Sequence, residues 1–345
     1  MIAQGAPVDL SVDLAPRGKR QLWLRNPVMT GSGTSSNGLE LARHFDIDEL
    51  GAIVSKGTTL RPRRGNATPR TVETAGGMLN SIGFQNIGVG ALIRELAPVW
   101  ARWEVPAVVN IMGDTLEEYG RLAGRLDEVE GVAGLEVNVS CPNVEVGGME
   151  FGQDPALAAQ VVRVVRRESS LPCLVKITPS VADVRPVIEA IAEAGADAVT
   201  VMNTVPGMAI DPSRRRPVLG SVFGGLSGPA IKPIALRNVW LAASVTALPI
   251  VASGGIMTGL DAVEFLLAGA SAVQVGTASF LDPRAPWNVL EELVAWCESQ
   301  GVGTLEEIVG AARPGGGPDA ARALHAPPPE PHKSRGGPDA RGAVH

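Results

Sequence analysis

Histidine is scarce in this chain. Of its four histidines, His325, His332 and His345 fall in the final stretch, so His44 alone belongs to the body of the sequence. That shortage excludes a serine–histidine triad and a histidine-rich zinc site, and leaves acid–base work to Cys, Lys, Asp, Glu or Ser. Cysteine is nearly as rare. Cys141, Cys173 and Cys297 stand far apart with no C-x-x-C pairing, which excludes a disulfide framework and fits a reduced, cytoplasmic setting. Basic residues are outnumbered, 30 Lys and Arg against 36 Asp and Glu, and the pI is near 5.4, so nucleic acid is not an expected partner. Long apolar runs are missing too. The most apolar stretch, 262–280, is broken by Glu264, Ser271, Gln274 and Thr277, and the first residues lack a basic, apolar leader, so neither a membrane span nor a signal peptide is expected.

What the chain has in plenty is apolar residue, 45% of the total, enough for one large core. Eight short runs, at 27–30, 52–56, 107–112, 135–139, 173–177, 198–202, 250–252 and 272–275, read as strands. They are continuous rather than alternating, the pattern of parallel strands buried on both faces. Amphipathic stretches at 155–167, 181–194, 231–245 and 260–268 separate them, and Ala-Gly-Ala units at 194–196 and 268–270 supply C-cap glycines. This α/β alternation predicts a (β/α)8 TIM barrel as one domain over 1–312. A hairpin pairing 8–12 with 21–24 is expected to cap its bottom. From Arg313 the chain turns to Gly, Pro and Asp, and GGPDAARALH at 316–325 is loosely repeated at 336–345. Such a composition cannot offset its own ordering entropy, so 313–345 is expected to be a disordered tail, with no role assigned to it.

In a barrel of this kind the C-terminal strand ends form the working face. The polar residues placed there are Lys56, Asn110, Asn138, Lys176, Asn203 and Thr204, joined by two glycine turns, Gly254-Gly255 and Gly276-Thr277. The turns offer backbone N–H groups beside a helix start, which makes a phosphate site; two ordinary turns are the other reading. Lys176 ends an apolar strand, so its ammonium needs an anion, either an anionic reduced flavin or an internal Asp or Glu. Lys56 carries the same two readings. The loop Asn138-Val-Ser-Cys-Pro-Asn143 sets a cysteine just past a strand end, ahead of Gly147-Gly148, which favours a reactive thiol on a mobile loop. Cys173 and Cys297 read as small buried apolar residues.

These stretches, with Asn26-Pro-Val-Met29, Ser55-Lys-Gly-Thr-Thr59, Gly77-Met-Leu-Asn-Ser-Ile-Gly-Phe-Gln-Asn86, Val175-Lys-Ile-Thr-Pro179 and Gly225-Leu-Ser-Gly228, resemble the class 1 dihydroorotate dehydrogenases over about residues 26–280. The resemblance implies an FMN enzyme that oxidises dihydroorotate to orotate. By position, Cys141 resembles the catalytic base, where class 2 enzymes carry serine, and Lys56 the lysine between substrate and flavin. Asn80, Ile82, Gly83, Phe84, Asn138, Asn143, Asn203 and Thr204 resemble the pyrimidine site. Ser32, Lys56, Asn110, Asn138, Lys176, Met202, Gly228, Gly254, Gly255, Gly276 and Thr277 resemble the FMN site. The stretch 61–90 looks like the NAD-linked subtype, which works with a second subunit carrying FAD and a [2Fe–2S] cluster around a homodimer core. The chain itself has no cysteine cluster for such a centre and no G-x-G-x-x-G fingerprint.

The alternatives are a fumarate-linked class 1 enzyme and a dihydropyrimidine dehydrogenase-like flavin barrel. In the latter the working cysteine lies further along the same loop, where this chain has Phe151. A flavin-binding scaffold and a Schiff-base barrel built on Lys176 leave the 138–143 loop unexplained. The run Arg214-Arg215-Arg216 reads as a lid, a partner surface or a solvated charge run.

Overall fold

The computed structural model describes residues 8–140 and 150–315. The apolar runs become eight parallel strands: β1 Val28–Thr30, β2 Ile53–Val54, β3 Ala107–Ile111, β4 Gly134–Asn138, β5 Cys173–Lys176, β6 Ala198–Val201, β7 Ile250–Ser253 and β8 Ala272–Val275. They lie side by side in the order β1-β8-β7-β6-β5-β4-β3-β2. A parallel bridge between Met29 and Ala52 closes the ring, with the Thr30 N–H donating to the Ala52 carbonyl at 3.1 Å. The molecule is a (β/α)8 barrel.

Alternation along each strand sorts the side chains between two layers. Val28, Ile53, Val109, Leu135, Val175 and Val199 face outward and pack under the helices. Met29, Ala52, Val54, Val108, Leu174, Ala198, Val251 and Ala272 face inward and fill the lower barrel. Two residues further along the same strands the inner face turns polar, with Asn110, Glu136, Lys176, Thr200 and Gln274, all buried. A polar floor therefore lies beneath the C-terminal mouth.

Six longer helices surround the strands: α1 Leu116–Leu126, α2 Pro155–Glu168, α3 Arg185–Glu193, α4 Lys232–Ala242, α5 Gly259–Ala268 and α6 Ala285–Gln300. Local chemistry sets their ends. The Asp154 side chain accepts from the Ala156 and Leu157 N–H groups with Pro155 at the first helical position, and Thr258 with Asp261 forms a capping box. Gly269 ends α5 at φ +115, as the Ala-Gly-Ala pattern predicts. Between β2 and β3 a π-turn, Leu92–Leu96, joins Gly88–Ala91 to Ala97–Trp100, and between β1 and β2 there are only two 3-10 turns.

The N-terminal hairpin forms, but it pairs Val12–Asp13 with Trp23–Leu24, later on its first arm than 8–12. The Asp13 carboxylate fixes this register by accepting from the Ala15 and Leu22 N–H groups, and Leu14, Leu22 and Leu24 join the lower barrel core. Asp9 pairs with Thr304 instead. A four-stranded antiparallel sheet was not foreseen. It runs in the order Val205–Met208, Phe223–Ser227, Gly77–Asn80, Thr71–Thr74, and joins the excursions after β2 and β6. The Arg214–Arg216 run lies at the turn of a small hairpin, Ile210–Asp211 with Arg216–Pro217, where Arg214 pairs with Asp211 at 3.6 Å. Among the described residues no helix is long and apolar enough to cross a membrane.

Candidate active site

The polar floor centres on a carboxylate. Glu136 is fully buried; Oε1 accepts from Asn110 Nδ2 at 2.7 Å and Oε2 from Thr200 Oγ1 at 3.1 Å and from Gln274 Nε2. Lys176 Nζ stands 3.6 Å from Glu136 Oε1 and donates to Gln274 Oε1 at 3.0 Å, with Ser32 Oγ at 3.4 Å. Of the two readings left open for Lys176, the internal carboxylate is therefore present. Its reach to Ser32, on the loop after β1, also brings it to the mouth. Sequence reading missed Glu136 and Gln274. The signal was there: a charged residue between Leu135 and Val137 in a buried strand demands a partner, as Lys176 does.

Above the floor lie the asparagines. Asn203 Nδ2 donates to Asn138 Oδ1 at 3.3 Å, Asn203 Oδ1 accepts from the Thr204 N–H, and the Tyr119 hydroxyl donates to the Asn138 carbonyl. Asn80 enters from the antiparallel sheet, its Nδ2 donating to the Gly225 carbonyl at 3.2 Å. A Cβ on Gly225 would lie 1.9 Å from Thr204 Oγ1, so this glycine is what lets the sheet close on β6. The Ile82–Gly83–Phe84 turn is held by two asparagines that sequence reading gave no role. Asn66 N–H donates to the Ile82 carbonyl and Asn86 Nδ2 to the Phe84 carbonyl. Gly83 and Phe84 both have positive φ, +69 and +55.

Lys56 is half-buried and has no carboxylate partner among the described residues. Burial, with the Arg70 charge adding to it, holds its ammonium below the ordinary lysine value. A cleft of about 390 Å³ lies beside it, lined by Ser36, Thr58, Arg63 and Asn86. That cleft takes in neither the glycine turns nor Asn138 and Asn203. Met202 turns its sulfur toward Asn238 on α4, which donates to it at 3.2 Å.

At the ends of β7 and β8 the glycines bring backbone close. Gly254 and Gly255 have φ +135 and +79, and a Cβ on Gly255 would meet the Lys232 backbone at 2.7 Å, so the start of α4 lies against the end of β7. Gly228, at φ +96, comes within reach of Thr277, and Gly31 abuts Gly276. A Cβ on Gly33 would meet nothing within 4 Å, and one on Gly276 only Thr34 at 4.0 Å, so open space lies over both. Cys141 and Asn143 lie outside the described residues. Cys173 and Cys297 are buried, and burial pushes the Cys173 thiol up to about 12. Phe151, where the dihydropyrimidine reading needs a cysteine, is fully buried edge-on to Tyr119.

Parallel barrel, glycine-lined strand ends and a lysine-bearing polar floor make this a (β/α)8 barrel of the kind whose sites lie at the C-terminal mouth. Residues 20–296 match the family model described as dihydroorotate dehydrogenase, and the chain belongs to that family. It is 54% identical over 303 residues to the protein of Pelobacter propionicus named "Dihydroorotate dehydrogenase B (NAD(+)), catalytic subunit", covering 88% of this chain and 98% of that one. The Geotalea daltonii protein of the same name is 51% identical over 308 residues, 89% and 99% of the two chains. Among solved structures, the dihydroorotate dehydrogenase of Eimeria tenella in complex with ferulenol superposes with a TM-score of 0.74 at 23% identity, over 91% of each chain, a likeness of fold.

Proposed function

We propose that this chain oxidises dihydroorotate to orotate in pyrimidine biosynthesis, with FMN held at the barrel mouth. The observation that carries the reading is a lysine on the polar floor, Lys176, at the end of the strand next to Asn138, with a second, half-buried lysine, Lys56, that has no carboxylate partner among the described residues. The residues fit a flavin mononucleotide. Glycines at 254, 255, 276 and 277's neighbour 228 bring backbone and a helix start together for a phosphate, the open space over Gly33 and Gly276 is a cradle any side chain would fill, and Lys176 supplies a cation.

FMN, when bound, supplies a two-electron acceptor for the hydride that leaves C6 of the substrate. Cys141, as thiolate, takes the proton from C5, so that a C5–C6 double bond forms as both hydrogens depart. The asparagine amides, with Asn143, Ile82, Gly83, Phe84 and Thr204, hold a planar imide ring, since each amide both donates and accepts. Lys56 would be placed between substrate and flavin, and Lys176 would supply a positive charge to the reduced flavin.

The names of the relatives, which carry NAD(+) and "catalytic subunit", support an electron path to NAD through a second subunit. We assign that subunit FAD and a [2Fe–2S] cluster, and the assembly a homodimer core in the cytoplasm. The test is anaerobic: dihydroorotate added to the FMN-loaded protein bleaches the flavin, and NAD restores the colour only with the partner subunit present. Bleaching with dihydrouracil alone would favour the dihydropyrimidine reading, and reoxidation by fumarate the fumarate-linked one.

A further inference from the structure

Among the described residues, every polar partner of the Glu136 carboxylate is a donor: Asn110, Thr200, Gln274 and, at 3.6 Å, the Lys176 ammonium. The Gln274 amide can point only one way. Its Nε2 donates to Glu136 while its Oε1 accepts from Lys176, so the three side chains form a directed chain across β4, β8 and β5. Only Lys176 of the three reaches the mouth, through Ser32. Glu136 is thus a donor-surrounded carboxylate set behind the lysine that reaches the mouth.

We propose that Glu136 sets the reduction potential of the bound flavin by offsetting part of the positive charge that Lys176 presents to the mouth. The inference rests on the flavin reading above. A lysine without a counter-charge draws electrons onto a flavin and holds them there, because the reduced form carries the negative charge. In this low-dielectric floor a carboxylate behind the lysine weakens that hold, and electrons then leave more readily for the next acceptor. Glu136 lies behind Lys176, which alone of the pair reaches Ser32; it is a positioning residue acting through Lys176.

The experiment equilibrates the FMN-loaded full chain anaerobically with a reference dye at one pH and reads the ratio of reduced to oxidised flavin. Glu136→Gln keeps the shape and removes the charge. It is expected to raise that ratio about tenfold at a fixed solution potential, about 30 mV for a two-electron couple. Combining Glu136→Gln with Gln274→Glu returns a carboxylate to the Lys176 contact and keeps donors matched to acceptors. That double variant is expected within about twofold of wild type. It also serves if the single variant does not fold: a folded double variant with the ratio still raised overturns the proposal. An unchanged or lowered ratio in Glu136→Gln overturns it as well, since a merely structural residue would leave Lys176 misplaced and the reduced form less stable. A wild-type protein that binds no FMN overturns the flavin reading itself, an outcome distinct from these.

Discussion

The two lysines at the mouth show how far a single side chain can be read before the fold is known. A charge in a buried strand has to be answered, and for Lys176 the answer is Glu136, two positions before Asn138 on the neighbouring strand. Its identity was hidden because the pairing of β4 with β5 is a fact of register, not of sequence spacing. Lys56 lacks such an answer among the described residues, and its ammonium is already held down by burial and by Arg70. An anionic ligand binds the protonated form, so orotate affinity should be full at low pH and fall as pH rises through a lysine value below the ordinary one. Lys56→Ala should weaken orotate by about 2 kcal/mol, about 30-fold in Kd, and flatten that pH dependence, as calorimetry would read. For Cys141 the same logic gives a rate of flavin reduction that rises with pH toward an unperturbed thiol value of ~8.5. Cys141→Ser should slow that step by about 10²–10⁴-fold and remove the rise over that range, in stopped-flow measurements with dihydroorotate.

Elements built from local signals were legible, and those built from distant pairings were not. The strands at 107–111 and 272–275 and the helix at 155–168 announce themselves by continuous apolar runs, a capping Asp154 and Pro155. The antiparallel sheet over the mouth depends on Gly225 meeting Asn80, two short glycine-bearing segments on the excursions after β2 and β6, strands that stand on opposite sides of the ring. The glycine turns were legible as turns, yet the sequence did not separate those that permit close packing from those that leave space. The structure makes this distinction testable. Gly255→Ala forces a side chain into positive φ and against the Lys232 backbone, and should destabilise the protein by about 1–3 kcal/mol in denaturant unfolding. Gly33→Ala meets nothing within 4 Å and should leave apo-protein stability within about 0.5 kcal/mol. Both should lose FMN on gel filtration, and Gly33→Ala without any loss of stability. If Gly33→Ala keeps its FMN, the open space beside it is not the cofactor cradle.

At the scale of the whole molecule, the barrel was legible because eight buried strands separated by helices admit few other closures, whereas the end of the folded body was not. Composition changes at Arg313, but docking does not stop there. The Ala312 N–H donates to the Leu267 carbonyl, Arg313 Nη1 donates to the Trp240 carbonyl at 2.7 Å, and its guanidinium lies 5.0 Å from the Trp240 ring. Arg313 thus ties the last described turn to α4 and α5, the two helices that flank the glycine turn after β7. Low complexity in the sequence hid this, because one arginine on one half-exposed tryptophan leaves no periodic trace. We expect a chain ending at Gly315 to melt with the full-length protein. A chain ending at Ala311 loses the cation–π contact and the hydrogen bonds of Ala312 and Arg313 to Leu267, Gly310, Trp240 and Ala268, worth about 1–2 kcal/mol together at this exposed site. It should melt about 2–4 °C lower by calorimetry. Equal melting of the two truncated chains would mean that Arg313 contributes nothing to the closure of the barrel, and that the composition boundary and the folding boundary coincide.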